Sequence, residues 1–166
     1  MNGLKKAQTQ QKGFTIIEVV LVLAIAGLIF LMVFIALPAL QRNQRDTQRK
    51  TDMGRLETAI VNYSGSARGA LPANATAWTA FEKSYLTTDG DTFIDPAGAK
   101  DTEEMYKLVP TSKSPLDETF ATAQNTIYYS TSAVCGDDAA SIKSAGSRKV
   151  AFRMVLEGGG YYCSNN

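Results

Sequence analysis

The chain has 166 residues, 45% of them hydrophobic and 20% charged, with a formal net charge of +1 and no histidine. That balance gives no general basic character of the kind that marks a nucleic-acid binder, and it permits one small globular domain beyond any membrane segment. The missing histidine removes imidazole acid–base chemistry, His-ligated zinc and Ser-His-Asp triads. No Gly-x-x-x-x-Gly-Lys-Ser/Thr phosphate loop is present, and Gly158-Gly159-Gly160 reads as a turn rather than a dinucleotide site.

Residues 1–13 form a polar leader carrying Lys5, Lys6 and Lys12 and ending in Gly13. Phe14, Thr15, Ile16, Ile17 and Glu18 follow, and from Val19 to Leu37 there are 19 residues without a polar side chain. At 1.5 Å per residue that stretch makes about 29 Å of helix, close to the hydrocarbon thickness of a bilayer. A carboxylate on such a helix is costly, about 2.5–3.5 kcal/mol near the bilayer centre, so Glu18 invites a functional reading. A secretory signal peptide cut at Ala24-Ile25-Ala26 would leave the apolar stub Gly27 to Leu40 on a soluble protein, because the run continues far beyond the usual 7–15 residues or so. A permanent anchor is the other plain reading. The flanking charges do not orient it, since three lysines precede the span while Arg42, Arg45, Arg49, Lys50 and Asp46 follow it.

A basic leader ending in Gly13, then Phe14, Thr15, two apolar residues, Glu18 and a long apolar helix, resembles the N-terminus of type IV pilin precursors. The resemblance is specific over residues 12–40 and architectural beyond. It implies that a membrane-embedded prepilin peptidase cuts between Gly13 and Phe14 and N-methylates Phe14. It implies that Glu18 serves subunit assembly, attracting the Phe14 amine of an adjacent subunit. The implied partners are identical subunits, minor pilins, an assembly platform with its ATPases and the membrane, with a host cell surface or DNA as contacts of the finished fibre. The precursor would sit single-pass in the inner or cytoplasmic membrane, and the product in a cell-surface pilus. Such helices usually carry a proline within the apolar stretch; here Pro38 stands at its far end. Removing the leader would leave 14 basic and 16 acidic residues, a net of −2.

Gln41 to Asp52 is almost wholly polar but rich in helix formers, so the helix is expected to continue. Met53, Leu56, Ile60 and Tyr63 recur at spacings of 3, 4 and 3, one apolar face that can pack on a sheet, and Ser64-Gly65-Ser66 is expected to end the helix. The total is about 50 residues, or roughly 75 Å. The basic cluster Arg42–Lys50 suits phospholipid or a neighbouring subunit, with a solvated helix face as the alternative. Residues 65–104 or so are a loop-rich connector. Thr79-Ala80-Phe81-Glu82 fits a capping box, and Trp78, Phe81 and Tyr85 share a face, predicting a short helix near 76–86. Asp89-Gly90-Asp91 hints at calcium, but Phe93 and Lys100 stand where an EF-hand loop needs oxygen ligands, so a solvated turn is expected and no metal or cofactor is implied. Asp95-Pro96-Ala97-Gly98 resembles the Asp-Pro-x-Gly turn of many pilins and of the major pseudopilins of type II secretion.

Strands are expected at Met105–Val109, Thr126–Val134 and Val150–Leu156, with a short terminal segment from Tyr161 to Cys163. Val150, Phe152, Met154 and Leu156 alternate onto one face. Cys135 and Cys163, an even count in an exported domain, suggest one disulfide, with two free thiols as the alternative. The expected fold is α+β: a leader over 1–13, a long N-terminal helix over 14–64 and a head over 65–166, in which a small antiparallel sheet packs on the helix. The expected function is that of a non-enzymatic type IV pilus subunit supporting adhesion, twitching motility or DNA uptake. A pseudopilin of a type II secretion or competence system is the alternative, and a membrane-tethered binding domain a more distant one.

Overall fold

A computed structural model describes residues 13–87, 93–97, 105–111 and 125–166. The chain is α+β and divides between Ala39 and Leu40 into two compact units. Its first element, α1, is a single helix from Ile16 to Ser66, 51 residues long, that includes Pro38. Proline has no N–H to give to the preceding turn, so one helical bond is missing one residue before the boundary between the units.

In the N-terminal unit the most apolar 18-residue window of α1 is 0% buried among the described residues. The C-terminal unit contains the rest of α1, where Met53, Leu56 and Ile60 are fully buried and Tyr63 packs at the edge of the core, as their spacing predicts. The helix ends at Ser66, within the Ser64-Gly65-Ser66 segment expected to stop it. The Gly69 amide donates to Ser64 O across 2.6 Å, with Arg68 at φ 57° and Gly69 at φ 84°. This is a Schellman-type closure with arginine, not glycine, at its first left-handed position.

A second helix, α2, covers Ala75–Tyr85. Its cap differs from the expected box at Thr79. Asn74 lies just before the helix with extended backbone, and its side chain accepts the Ala77 N–H at 2.9 Å, whereas Thr79 bonds back to Ala75 O inside the helix. Trp78 and Phe81 are buried; Tyr85 is more than a third exposed but stacks on Phe81.

The main sheet contains β1 (Lys107–Pro110), β2 (Thr126–Thr131), β5 (Val150–Val155) and β6 (Tyr161–Asn165), in the order β1-β2-β5-β6. β2–β5 and β5–β6 are antiparallel, while β1–β2 is parallel, pairing Leu108 with Ile127. Pro110 is tolerated because β1 is an edge strand. The expected Thr126–Val134 strand breaks at Ser132, whose φ of 55° turns the chain out of the main sheet. Its continuation, β3 (Ala133–Cys135), pairs instead with β4 (Ile142–Ser144), a strand the sequence pattern does not announce. Because β3 lies against β5, both faces of β5 are covered: Ala151 and Arg153 are buried as well as Val150, Phe152 and Met154. The central core joins α1, α2 and the sheet through Trp78 against Tyr129, ring centroids 4.0 Å apart, and Tyr63 edge-on to Phe81 at 5.6 Å.

Candidate functional site

The helix start is built by Thr15. Its Oγ1 accepts the Glu18 amide at 3.3 Å, and its carbonyl accepts the amides of Glu18 at 3.1 Å and Val19 at 3.3 Å. Threonine therefore terminates the helix in the manner of an N-cap, a role the sequence reading missed. Thr15 and Glu18 have the spacing of a capping box, which was the available signal. Glu18 lies in the first turn, where the helix dipole favours a negative charge. Among the described residues its exposed carboxylate has no hydrogen-bond or ion-pair partner. Phe14 is 85% exposed, and a Cβ added to Gly13 would meet nothing within 4 Å. Among the described residues nothing places a steric demand for glycine at position 13.

Beyond Glu18, Val19 to Leu37 presents its large apolar side chains outward, with Leu28 and Phe30 each 65% exposed. A continuous apolar surface of this extent is not stable in water and needs lipid or protein around it. Gly13, Phe14 and Glu18 are thus together at the head of a bare apolar helix. Cys135 and Cys163 are elsewhere, joined as a disulfide that ties β3 to β6 with Cα atoms 5.9 Å apart.

The basic cluster after the span has a use the sequence reading did not assign. Arg49 is fully buried, with Nη2 2.8 Å from Asp95 Oδ1 and Nη1 2.9 Å from Asp46 Oδ1 and 3.4 Å from Glu157 Oε2. Arg45 holds Glu157 from the next turn. Asp46 also accepts the backbone amides of Glu157 at 2.8 Å and Gly158 at 2.7 Å. Gly158 is needed for this approach, since a Cβ there would lie 3.0 Å from Asp46 Oδ2. Burial works against ionising Asp46, but the Gly158 and Glu157 amides and Arg49 outweigh it and hold its carboxyl below the usual range. The bond from Arg45 holds Glu157 low as well. One turn on, burial pushes the Asp52 carboxyl up, only partly offset by the Tyr106 hydroxyl, which donates to it at 3.2 Å. Asp95 accepts the Ala97 amide at 2.8 Å, so the Asp95-Pro96-Ala97 turn forms and is riveted to α1 through Arg49. Gly98 and the Asp89–Asp91 acids lie outside the described residues.

Residues 8–34 match the family model of the prokaryotic N-terminal methylation motif. That motif is the leader signal of type IV prepilins. In its N-terminal arm the chain is type IV pilin- or pseudopilin-like, and the motif marks a structural protein family. It implies processing by a prepilin peptidase followed by pilus assembly, and with the apolar helix it is consistent with membrane insertion of the precursor. The match ends within the apolar span, and the head lies outside it. No curated protein and no solved structure matches the chain.

Proposed function

We propose that the mature chain is a non-enzymatic structural subunit of a type IV pilus. Residues 1–13 are removed by the peptidase at Gly13–Phe14, Phe14 is N-methylated, the helix over 14–64 enters the fibre core through its first half, and 65–166 form the exposed head. The observation that carries this reading is the juxtaposition of the leader motif with a bare apolar helix bearing, four residues after Phe14, one carboxylate without a partner among the described residues. Cleavage creates an α-amine at Phe14; such a group ordinarily titrates at about pH 8 and is cationic at neutral pH. A carboxylate entering an apolar bundle alone is strongly unfavourable, and an amine from the adjacent subunit relieves it, fixing register more than adding cohesion. Cohesion comes from burying the apolar helices of identical subunits and minor pilins, extracted from the membrane by the assembly platform and its ATPases. The fibre then meets cell surfaces or DNA through its heads.

A pseudopilin of type II secretion or competence is the second reading, favoured by the Asp95-Pro96-Ala97 turn held against the helix. Both readings require the same processing. Intact-mass measurement of protein purified from membranes and from sheared fibres is expected to find Phe14 as first residue, with a methyl group added. Retention of Met1, or a cut after Ala26, overturns both and leaves a membrane-tethered domain or a secreted one.

A further inference from the structure

A cleft of about 460 Å³ opens in the head between the chain leaving α1 and the two turns that flank β3 and β5. Arg68, Thr131, Ser132, Ser147 and Arg148 line it, and among the described residues no carboxylate does. Among the described residues neither guanidinium makes an ion pair, and the three hydroxyls make no hydrogen bond. This contrasts with Arg45, Arg49 and Arg55, each on a carboxylate, and Arg153, on Ala140 O.

The backbone of the cleft is unusual. Arg68 and Ser132 are the non-glycine residues at positive φ among the described residues, and both line it. Left-handed backbone at a residue with a side chain is held only where the surroundings enforce it, and it collects at binding sites. Gly69 lies beneath the Arg148 guanidinium: a Cβ there would come within 3.0 Å of Arg148 Cζ and Nε. The far wall is tied in place, with Ser132 N donating to Lys149 O at 2.8 Å, Ala145 N to Ser132 O at 2.8 Å, and Asn166 Nδ2 to Arg148 O at 2.9 Å.

We propose that this cleft is a binding site for a phosphate-class dianion. Two guanidinium forks match a group with about two negative charges and several acceptor oxygens, and the free hydroxyls supply further donors. A carboxylate would neutralise only one arginine. The cleft is larger than one ion, which suits a phosphate carried on a glycerol or sugar. Nothing in the fibre reading uses these residues, so the site stands or falls independently of it.

The test is titration of inorganic phosphate, glycerol 3-phosphate and acetate into the full chain in detergent micelles at constant ionic strength, followed by backbone amide shifts. Saturable shifts at Gly69, Ser132 and Ser147 are expected with both phosphates and not with acetate. Tighter binding of glycerol 3-phosphate would make the ligand an ester, and tighter binding of inorganic phosphate the free ion. Arg68→Gln and Arg148→Gln should each weaken binding about tenfold or more, the loss of a charge-assisted bond. Arg148→Lys should restore part of it, because the charge returns without the fork. Shifts that stay linear, acetate binding as well as phosphate, or glutamine variants that bind normally would overturn the site. So would variants that lose thermal stability while phosphate moves no shift in the unaltered protein, since the arginines would then only complement the negative end of α1.

Discussion

The two halves of α1 invert each other. Between Val19 and Leu37 the large apolar side chains are exposed, while between Asp46 and Asp52 the charged side chains Asp46, Arg49 and Asp52 are buried. The difference is one of solvent. The first half is composed for an environment of lipid or neighbouring helices, where the outward face must be apolar. The second half is composed for a domain that must hold loops in place, where polar groups are tolerated only because each meets a partner. A single unbroken helix therefore says nothing uniform about what surrounds it. Glu18 is a charge without a partner among the described residues, whereas Arg49 is a charge with three.

The largest effect expected from breaking this contrast is at Glu18. Glu18→Val makes the apolar half more uniform and should anchor at least as well, yet it should yield few or no fibres, with Glu18→Asp intermediate. Fractionation of membranes and sheared fibres reads this directly, and wild-type fibre levels from Glu18→Val would refute the pairing. Next is Arg49→Met, which leaves Asp46 and Asp95 buried without their cation. Breaking a buried pair in this way should cost the head about 3–5 kcal/mol in denaturant unfolding, with no effect on leader removal. A loss under about 1 kcal/mol would mean that the cluster is solvated. Cys163→Ser comes third, at about 2–4 kcal/mol and again with processing intact.

Acid gives a smaller test whose sign can be worked out. Asp46 and Glu157 have depressed folded-state pKa values, so their contribution is complete above the ordinary carboxylate value of about 4 and is lost as pH falls through the lower folded values. Asp52 is raised, so its protonation relieves a cost in the same descent. Asp52→Asn should therefore make the acid loss of stability begin at higher pH and proceed without a shoulder, as read by near-UV circular dichroism. The smallest expected effect is at the α2 cap: Asn74→Ala should cost about 1 kcal/mol and Thr79→Ala much less. Equal losses would restore the capping box to Thr79.

Much of this architecture was legible because it rests on period and composition. The apolar span, the Met53–Leu56–Ile60–Tyr63 face, α2 and the strands β2, β5 and β6 follow from spacing. The Arg49 cluster was legible too, but disguised. Asp46 and Arg49 continue the spacing of the buried face backwards from Met53, yet charge by itself argues for exposure. What sequence period does not carry is long-range pairing. The parallel β1–β2 register and the partner of β3 depend on contacts between segments that no local pattern names. The break at Ser132 has no propensity signal, since serine is not a left-handed residue by preference. At the N-terminus the methylation motif over residues 8–34 was legible because it is written locally in the sequence.

The Cys135–Cys163 link has a mechanical consequence. A chain loaded along its length could lose β6 from the sheet edge, but the segment between the cysteines, which are 28 positions apart, is closed into a covalent ring. That ring contains β4, β5 and the glycine turn. At about 3.5 Å per extended residue it withholds roughly 95 Å of contour that a reduced chain would release under tension. Stretching single molecules before and after reduction should therefore differ by that length, with the oxidised chain the shorter and stiffer tether.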